Sequence, residues 1–176
     1  MAIRPIIEIP DPRLRLKSAP VEAFDDELRT LVADMFETMY AAPGIGLAAI
    51  QVGVPRRVLV IDLQEPGEDG EPVRAPRLFV NPQLVEASDE LSVYNEGCLS
   101  VPDLYAEVDR PARIRARWQD LDGAWHEEAM EGLLATCLQH EMDHLEGVVF
   151  IDHLSRLKRE MLLKKLAKAR REKAVA

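Results

Sequence analysis

Cysteine is scarce in this chain, with only Cys98 and Cys137 among 176 residues. Two thiols make no disulfide framework, so each reads as a ligand or a small buried side chain. Long apolar runs are missing too. None approaches the roughly 20 residues that span a bilayer, and no membrane partner is expected. The start, MAIRPIIEIPDPRLR, has one early Arg but no apolar stretch leading to a small-residue cleavage site. It does not read as an export signal, which points to a cytoplasmic protein. Internal repeats are absent, as is low complexity outside the C-terminal tail. What remains is 47% hydrophobic and 30% charged, ordinary for a soluble domain. The length suits one core rather than two, so residues 1–176 are expected to form a single domain.

Charge is unevenly spread. The net charge is −9, yet residues 154–176 hold nine Lys or Arg against only Glu160 and Glu172. An acidic body disfavours DNA, while a basic tail can touch nucleic acid locally.

Apolar periodicity marks a first helix from Asp25, its N-cap, through Leu28, Leu31, Val32, Met35, Phe36 and Met39, ending at Pro43. IIEIP reads as a short strand stopped by Pro10 and Pro12, and RVLVID (57–62) as another. LQEPGEDGEPVRAPR reads as a polar loop. LFVNP, QLVEAS, YAEV, RIRARWQ and AWHEEAM read as short strands, with DLDGA the best hairpin signal and Trp118 and Trp125 as hairpin packing. A second helix begins near Glu131, apolar over much of its surface and therefore central, and Gly147 can end it. A third helix spans about 153–173, with Leu154, Leu157, Met161 and Leu166 as a partial stripe. The pattern is α+β: antiparallel sheets surrounding a central helix, with an N-terminal and a C-terminal helix.

The second helix carries QHEMDHLEG (139–147). His140 and His144, four apart, lie on one helical face and can hold one ion from successive turns. Glu141 is offset by about 100°, beside such an ion and free to hold a proton. The plain alternative is coincidence, two histidines serving the surface or core. For a third ligand, nothing downstream is attractive. Glu146 faces elsewhere, Asp152 and His153 follow the helix end, and Glu160 and Glu172 lie in the basic tail. Upstream, NEGCLSVPD places Cys98 in a Gly-containing turn from which a thiolate can face the helix. Cys137, one turn before His140, is the rival, although a thiol in an apolar stripe is usually packing. GIGLAAIQVG (44–53) is a tight turn permitting close approach, or backbone that pairs with an extended substrate while Gln51 donates to an oxyanion.

Taken together, GIGLAAIQ, EGCLS (96–100) and QHEMDHLEG, in this order, resemble the peptide deformylase family, and IPDPRLR and the C-terminal helix extend the likeness over nearly the whole chain. The resemblance implies hydrolysis of the formyl group from the formylmethionine of new polypeptides, releasing formate. It implies that Cys98, His140 and His144 bind one Fe2+, with Zn2+, Ni2+ or Co2+ as replacements and water in the fourth position. It makes Glu141 the proton shuttle, and the Gln51 side chain and Leu99 backbone N–H the oxyanion donors. Ile45, Gly46, Leu133 and Cys137 are candidates for the wall that receives the substrate. Tyr105 departs from the family pattern, in which Arg often stands seven residues after the ligand Cys. Arg110 and Asp143 are either an ion pair supporting the metal helix or solvated charges. The tail resembles a helix that docks on the ribosome, though a solvated helix packed on the acidic body fits its charge equally. A monomer is expected. Two other functions stay open: an ordinary metallopeptidase, which needs a downstream ligand, and a non-catalytic ribosome-binding protein with a structural metal, which needs a fourth ligand and no use for Glu141.

Overall fold

The computed structural model describes residues 2–175. The Asp25 side chain accepts a hydrogen bond from the Leu28 N–H at 3.0 Å, and helix α1 runs Asp26–Ala41, stopping short of Pro43 as expected. Seven strands follow: β1 (Gly46–Ala48), β2 (Val58–Ile61), β3 (Arg77–Ala87), β4 (Leu91–Cys98), β5 (Val101–Pro111), β6 (Arg113–Gln119) and β7 (Trp125–Glu131). Helices α2 (Gly132–Leu145) and α3 (Arg156–Val175) complete the chain. β1-β2-β3-β6-β7 form one antiparallel sheet and β4-β5 a separate antiparallel ribbon. The α+β architecture is the one the sequence predicts.

β2 shows why α2 ends up inside. All four of its residues are buried, and successive side chains point to opposite faces. Val58 and Val60 pack with Leu28, Met35 and Met39 of α1. Leu59 and Ile61 pack with Phe79, Trp118 and, from α2, Leu138 and Leu145. α2 is therefore covered on several sides, and Ala135 through Glu141 are all buried. Gly147 follows this helix at φ 77°, where a Cβ would meet the Arg15 carbonyl at 2.5 Å, so glycine is required.

Four expectations need correction. The N-terminal IIEIP is not a strand. The Ile7 and Ile9 N–H groups donate to two different partners, Gln51 O and Ser100 O, so no continuous ladder forms. LFVNP and QLVEAS are one strand, β3, interrupted by a register shift after Val80. There Asn81 adopts φ 49°, tolerable for Asn, and its side chain bonds both backbone groups of Val21. Cys98 closes strand β4 rather than lying within a turn; the turn begins at Leu99. In the third helix Leu157 and Met161 are exposed, and Leu166 with Leu162 makes the packing stripe against Ile7, Val101 and Phe150. The helix is entered through a 3-10 turn at Phe150–His153, which moves its start to Arg156. Among the described residues no helix is long and apolar enough to cross a membrane.

Candidate active site

β4 delivers Cys98 to the face of α2 that carries His140 and His144. Cys98 Sγ lies 3.4 Å from His144 Nε2. One ligand atom from each of the three residues falls within 4.8 Å of the others, the one such group among the described residues. Two ligands about 2.0–2.3 Å from a single ion at the tetrahedral angle stand roughly 3.5 Å apart, so the donor set fits one divalent cation. Cys137 is not part of this group. Burial, followed by the charge of Glu141, raises its thiol well above the ordinary value, and the neutral side chain forms cleft wall.

Behind the ligands stands Glu96, which the sequence reading passed over although it opens EGCLS. It is two residues before Cys98 on β4, on the same side of the strand. Its Oε1 accepts a hydrogen bond of 2.8 Å from His140 Nδ1, which leaves His140 Nε2 to face the cation position. Its two oxygens also take a bidentate pair of bonds from Arg110, Nε to Oε2 at 2.7 Å and Nη2 to Oε1 at 3.0 Å. Burial alone would raise the Glu96 carboxyl, but the bonds from His140 and Arg110 outweigh it and hold the group below the carboxylate range. Arg110 Nη1 donates to Asp143 Oδ2 at 2.8 Å, which resolves that pair in favour of an ion pair. His153 caps Asp143 at 2.7 Å. Burial above all pushes the His144 imidazole down to about 3, in the direction of the neutral form that a metal ligand needs.

Glu141 is 4% exposed, and its Oε2 has no hydrogen-bond partner among the described residues. Its Oε1 lies 3.9 Å from His140 Nε2. Burial pushes its carboxyl up to about 7, near the pH at which a proton acceptor works best. Gly46 makes room for it, since a Cβ there would come 2.8 Å from Glu141 Oε1.

Gln51 is fully buried. Its Oε1 accepts from Ala48 N–H at 2.9 Å, and its Nε2 donates to Ser100 Oγ at 3.0 Å and faces Cys98 Sγ at 3.5 Å. Its amide is thus fixed beside the sulfur. A cleft of about 920 Å³ opens in front of this group. Ile45, Gly46, Leu99, Tyr105, Leu133 and Cys137 all line it, together with Cys98, His140 and Glu141. Tyr105 is exposed and its ring covers Gly97, while His126 pairs with Asp120 in the β6–β7 hairpin, remote from the site. The sequence reading missed Thr136, a buried member of the same wall. Its position four before His140 was the available signal.

A buried His-Glu-x-x-His helix, a cysteine opposite it and a carboxylate behind it define a metal-dependent hydrolase. The sequence model of the polypeptide deformylase family matches residues 3–160. A peptide deformylase of Rhizorhabdus wittichii is 73% identical over the whole of both chains. One from Novosphingobium aromaticivorans is 69% identical, with 97% of this chain and 99% of that one covered. Among solved structures, the Legionella pneumophila peptide deformylase superposes with a TM-score of 0.89 at 46% identity, covering 98% of each chain. An Ehrlichia chaffeensis peptide deformylase in complex with actinonin gives 0.88 at 44%, covering 96% of this chain and 98% of that one. The chain belongs to the peptide deformylase family, metal-dependent hydrolases that deformylate nascent peptides.

Proposed function

We propose that Cys98, His140 and His144 hold one Fe2+ and that Glu141 moves the protons of formyl hydrolysis, with the whole chain acting as one domain, a cytoplasmic monomer. The observation that carries this reading is Glu141 itself: buried, raised to about 7 and, among the described residues, unpartnered at Oε2 and beside a three-ligand set with no fourth protein ligand grouped with it. A structural metal site would be closed by protein. When bound, the ion supplies Lewis acidity toward water and the formyl oxygen. Glu141 accepts the proton of the attacking water and hands it to the departing amine. The Leu99 N–H and the Gln51 amide, held beside Cys98, stabilise the charge that develops on the formyl oxygen. Gly46 lies on β1, an edge strand of its sheet, where an extended peptide can add its backbone. Ile45, Leu133 and Cys137 receive the first side chain, and Tyr105 contacts the peptide beyond it without adding charge.

Zinc outranks iron(II) in intrinsic affinity at such a site, so iron loading reflects supply. Protein purified without oxygen is expected to release formate from formyl-Met-Ala faster per metal with iron than with zinc, to lose that activity in air, and to leave Met-Ala-Ser uncut. Equal activity of the two metal forms overturns the iron assignment; cleavage of the unformylated peptide overturns the deformylase mechanism.

The basic face of α3 serves ribosome binding in this reading. Lys164, Lys165, Lys168 and Arg171 are exposed on it. Deleting the helix is a poor test, because Leu166 is buried against the body. Replacing those four side chains with Gln keeps the packing. The variant should bind ribosomes more weakly with a shallower salt dependence, and should hydrolyse short formyl peptides at the unaltered rate. Unchanged ribosome affinity in a co-sedimentation assay removes the idea.

A further inference from the structure

Gln64 follows the end of β2 by three residues and adopts φ 51°, in the left-handed region. Glycine enters that region freely and Asn at moderate cost, but a longer side chain is rare there. A residue held in such a conformation is fixed by what surrounds it. Asp62, fully buried, accepts from the Gln64 N–H at 3.0 Å, from the Ala75 N–H at 3.1 Å and from the Tyr40 hydroxyl. The backbone of Gln64 is thereby tied down, and its side chain has one carbonyl in reach. Its Nε2 donates to the Gly44 oxygen at 3.1 Å.

Gly44 lines the cleft. Its N–H donates to the Met39 carbonyl of α1 at 2.8 Å, so both of its backbone groups are taken. Leu99 packs on it, since a Cβ there would come 2.8 Å from Leu99 Cδ1. What Gln64 holds is therefore the entry to β1. A trans peptide is rigid, so fixing the Gly44 carbonyl also fixes the direction of the Ile45 N–H. The Ile45 carbonyl accepts from the Asp62 N–H at 2.8 Å and so faces the β2 side. In an antiparallel pair, successive residues alternate between facing the partner and facing away. The N–H and C=O of Gly46, opposite Ile61, are thereby turned to the free edge of the sheet.

We propose that Gln64 is a positioning residue for the main chain of the substrate: it pins the Gly44 carbonyl, so that the free edge at Gly46 is set before an extended peptide arrives. The inference rests on the reading that the peptide adds its backbone to β1. An edge set in advance lowers the ordering cost of binding. A substrate that stops at its first residue offers that edge fewer main-chain groups, so the contribution of Gln64 grows with peptide length.

The test compares formyl-methionine amide with formyl-Met-Ala-Ser, using metal-loaded wild type, Gln64→Glu and Gln64→Asn. Glu keeps the reach but loses the donor, because an ionised carboxylate only accepts. Asn keeps the amide, suits the backbone angle better and falls one methylene short; thermal denaturation verifies that it is folded. Wild type should have the higher kcat/KM for the longer peptide. In both variants the long-to-short ratio of kcat/KM should fall by roughly three- to tenfold, the worth of one hydrogen bond, through the KM of the longer peptide. An unchanged ratio, a parallel loss on both substrates, or a loss carried by kcat overturns the proposal and leaves the deformylase reading standing. A wild type that treats the two substrates equally overturns it as well. No formate from either substrate by wild type sinks the deformylase reading, and this proposal with it.

Discussion

Replacing Glu141 with Gln is expected to lower formate release by about 10²–10⁴-fold, the range contributed by a positioned proton-transfer group, with metal content and thermal stability undiminished. The two halves of this result come from one observation. The Glu141 carboxyl is buried, and its Oε2 has no partner among the described residues, so burial raises its pKa and the ionised form is destabilised in place. A neutral amide of the same shape exchanges the buried charge for a buried N–H2 group, two penalties that offset, and breaks no hydrogen bond found among the described residues. It also removes the proton acceptor. Activity should therefore collapse while the melting temperature stays close to that of wild type. Formate assays, metal analysis and thermal denaturation of the purified variant check this together. A Gln variant within tenfold of wild-type turnover would show that another group carries the proton.

The reverse pattern is expected at Glu96, whose bonds go to His140 and Arg110. Glu96→Ala removes the acceptor of three hydrogen bonds, one from His140 and two from Arg110. It leaves the Arg110 guanidinium, whose side chain is 5% exposed, facing Asp143 alone. Breaking one side of a buried charge pair costs about 3–5 kcal/mol. In a domain of this size that is a drop of roughly 6–20 °C in melting temperature. His140 loses the carboxylate that sets its tautomer and ring orientation, so metal affinity should fall by about 10–100-fold. Denaturant unfolding and competition with a metal chelator measure the two effects. Glu107→Ala, at an exposed position of β5 in the same ribbon, is the control and should shift stability by no more than about 0.5 kcal/mol. A Glu96 variant as stable as this control would mean that the network contributes nothing net.

These two carboxylates mark what local pattern reveals and what it hides. Glu141 was legible because the spacing of His140 and His144 is a helical period and Glu141 lies between them. The Asp25 cap, the α1 stripe and the Gly147 stop are likewise local. Glu96 was hidden because its role is made by residues from β5 and α2 that only the fold brings to it. β4 escaped for a related reason: LSVYNEGC alternates exposed and half-buried positions only as far as Asn95, and its one buried residue is the charged Glu96, so it has no apolar face. The break in β3 at Asn81 depends on a side chain bonding back to Val21, sixty residues away. Thr136 was passed over because a single hydroxyl in an apolar helix reads as packing.

The chain Cys98–His144 and His140–Glu96–Arg110–Asp143–His153 is held by contacts within the protein itself. Small zinc modules depend on their ion to fold; here β4, β5 and α2 are also joined by side chains that bond to one another, so the residues that orient the ligands fasten three elements of the fold together.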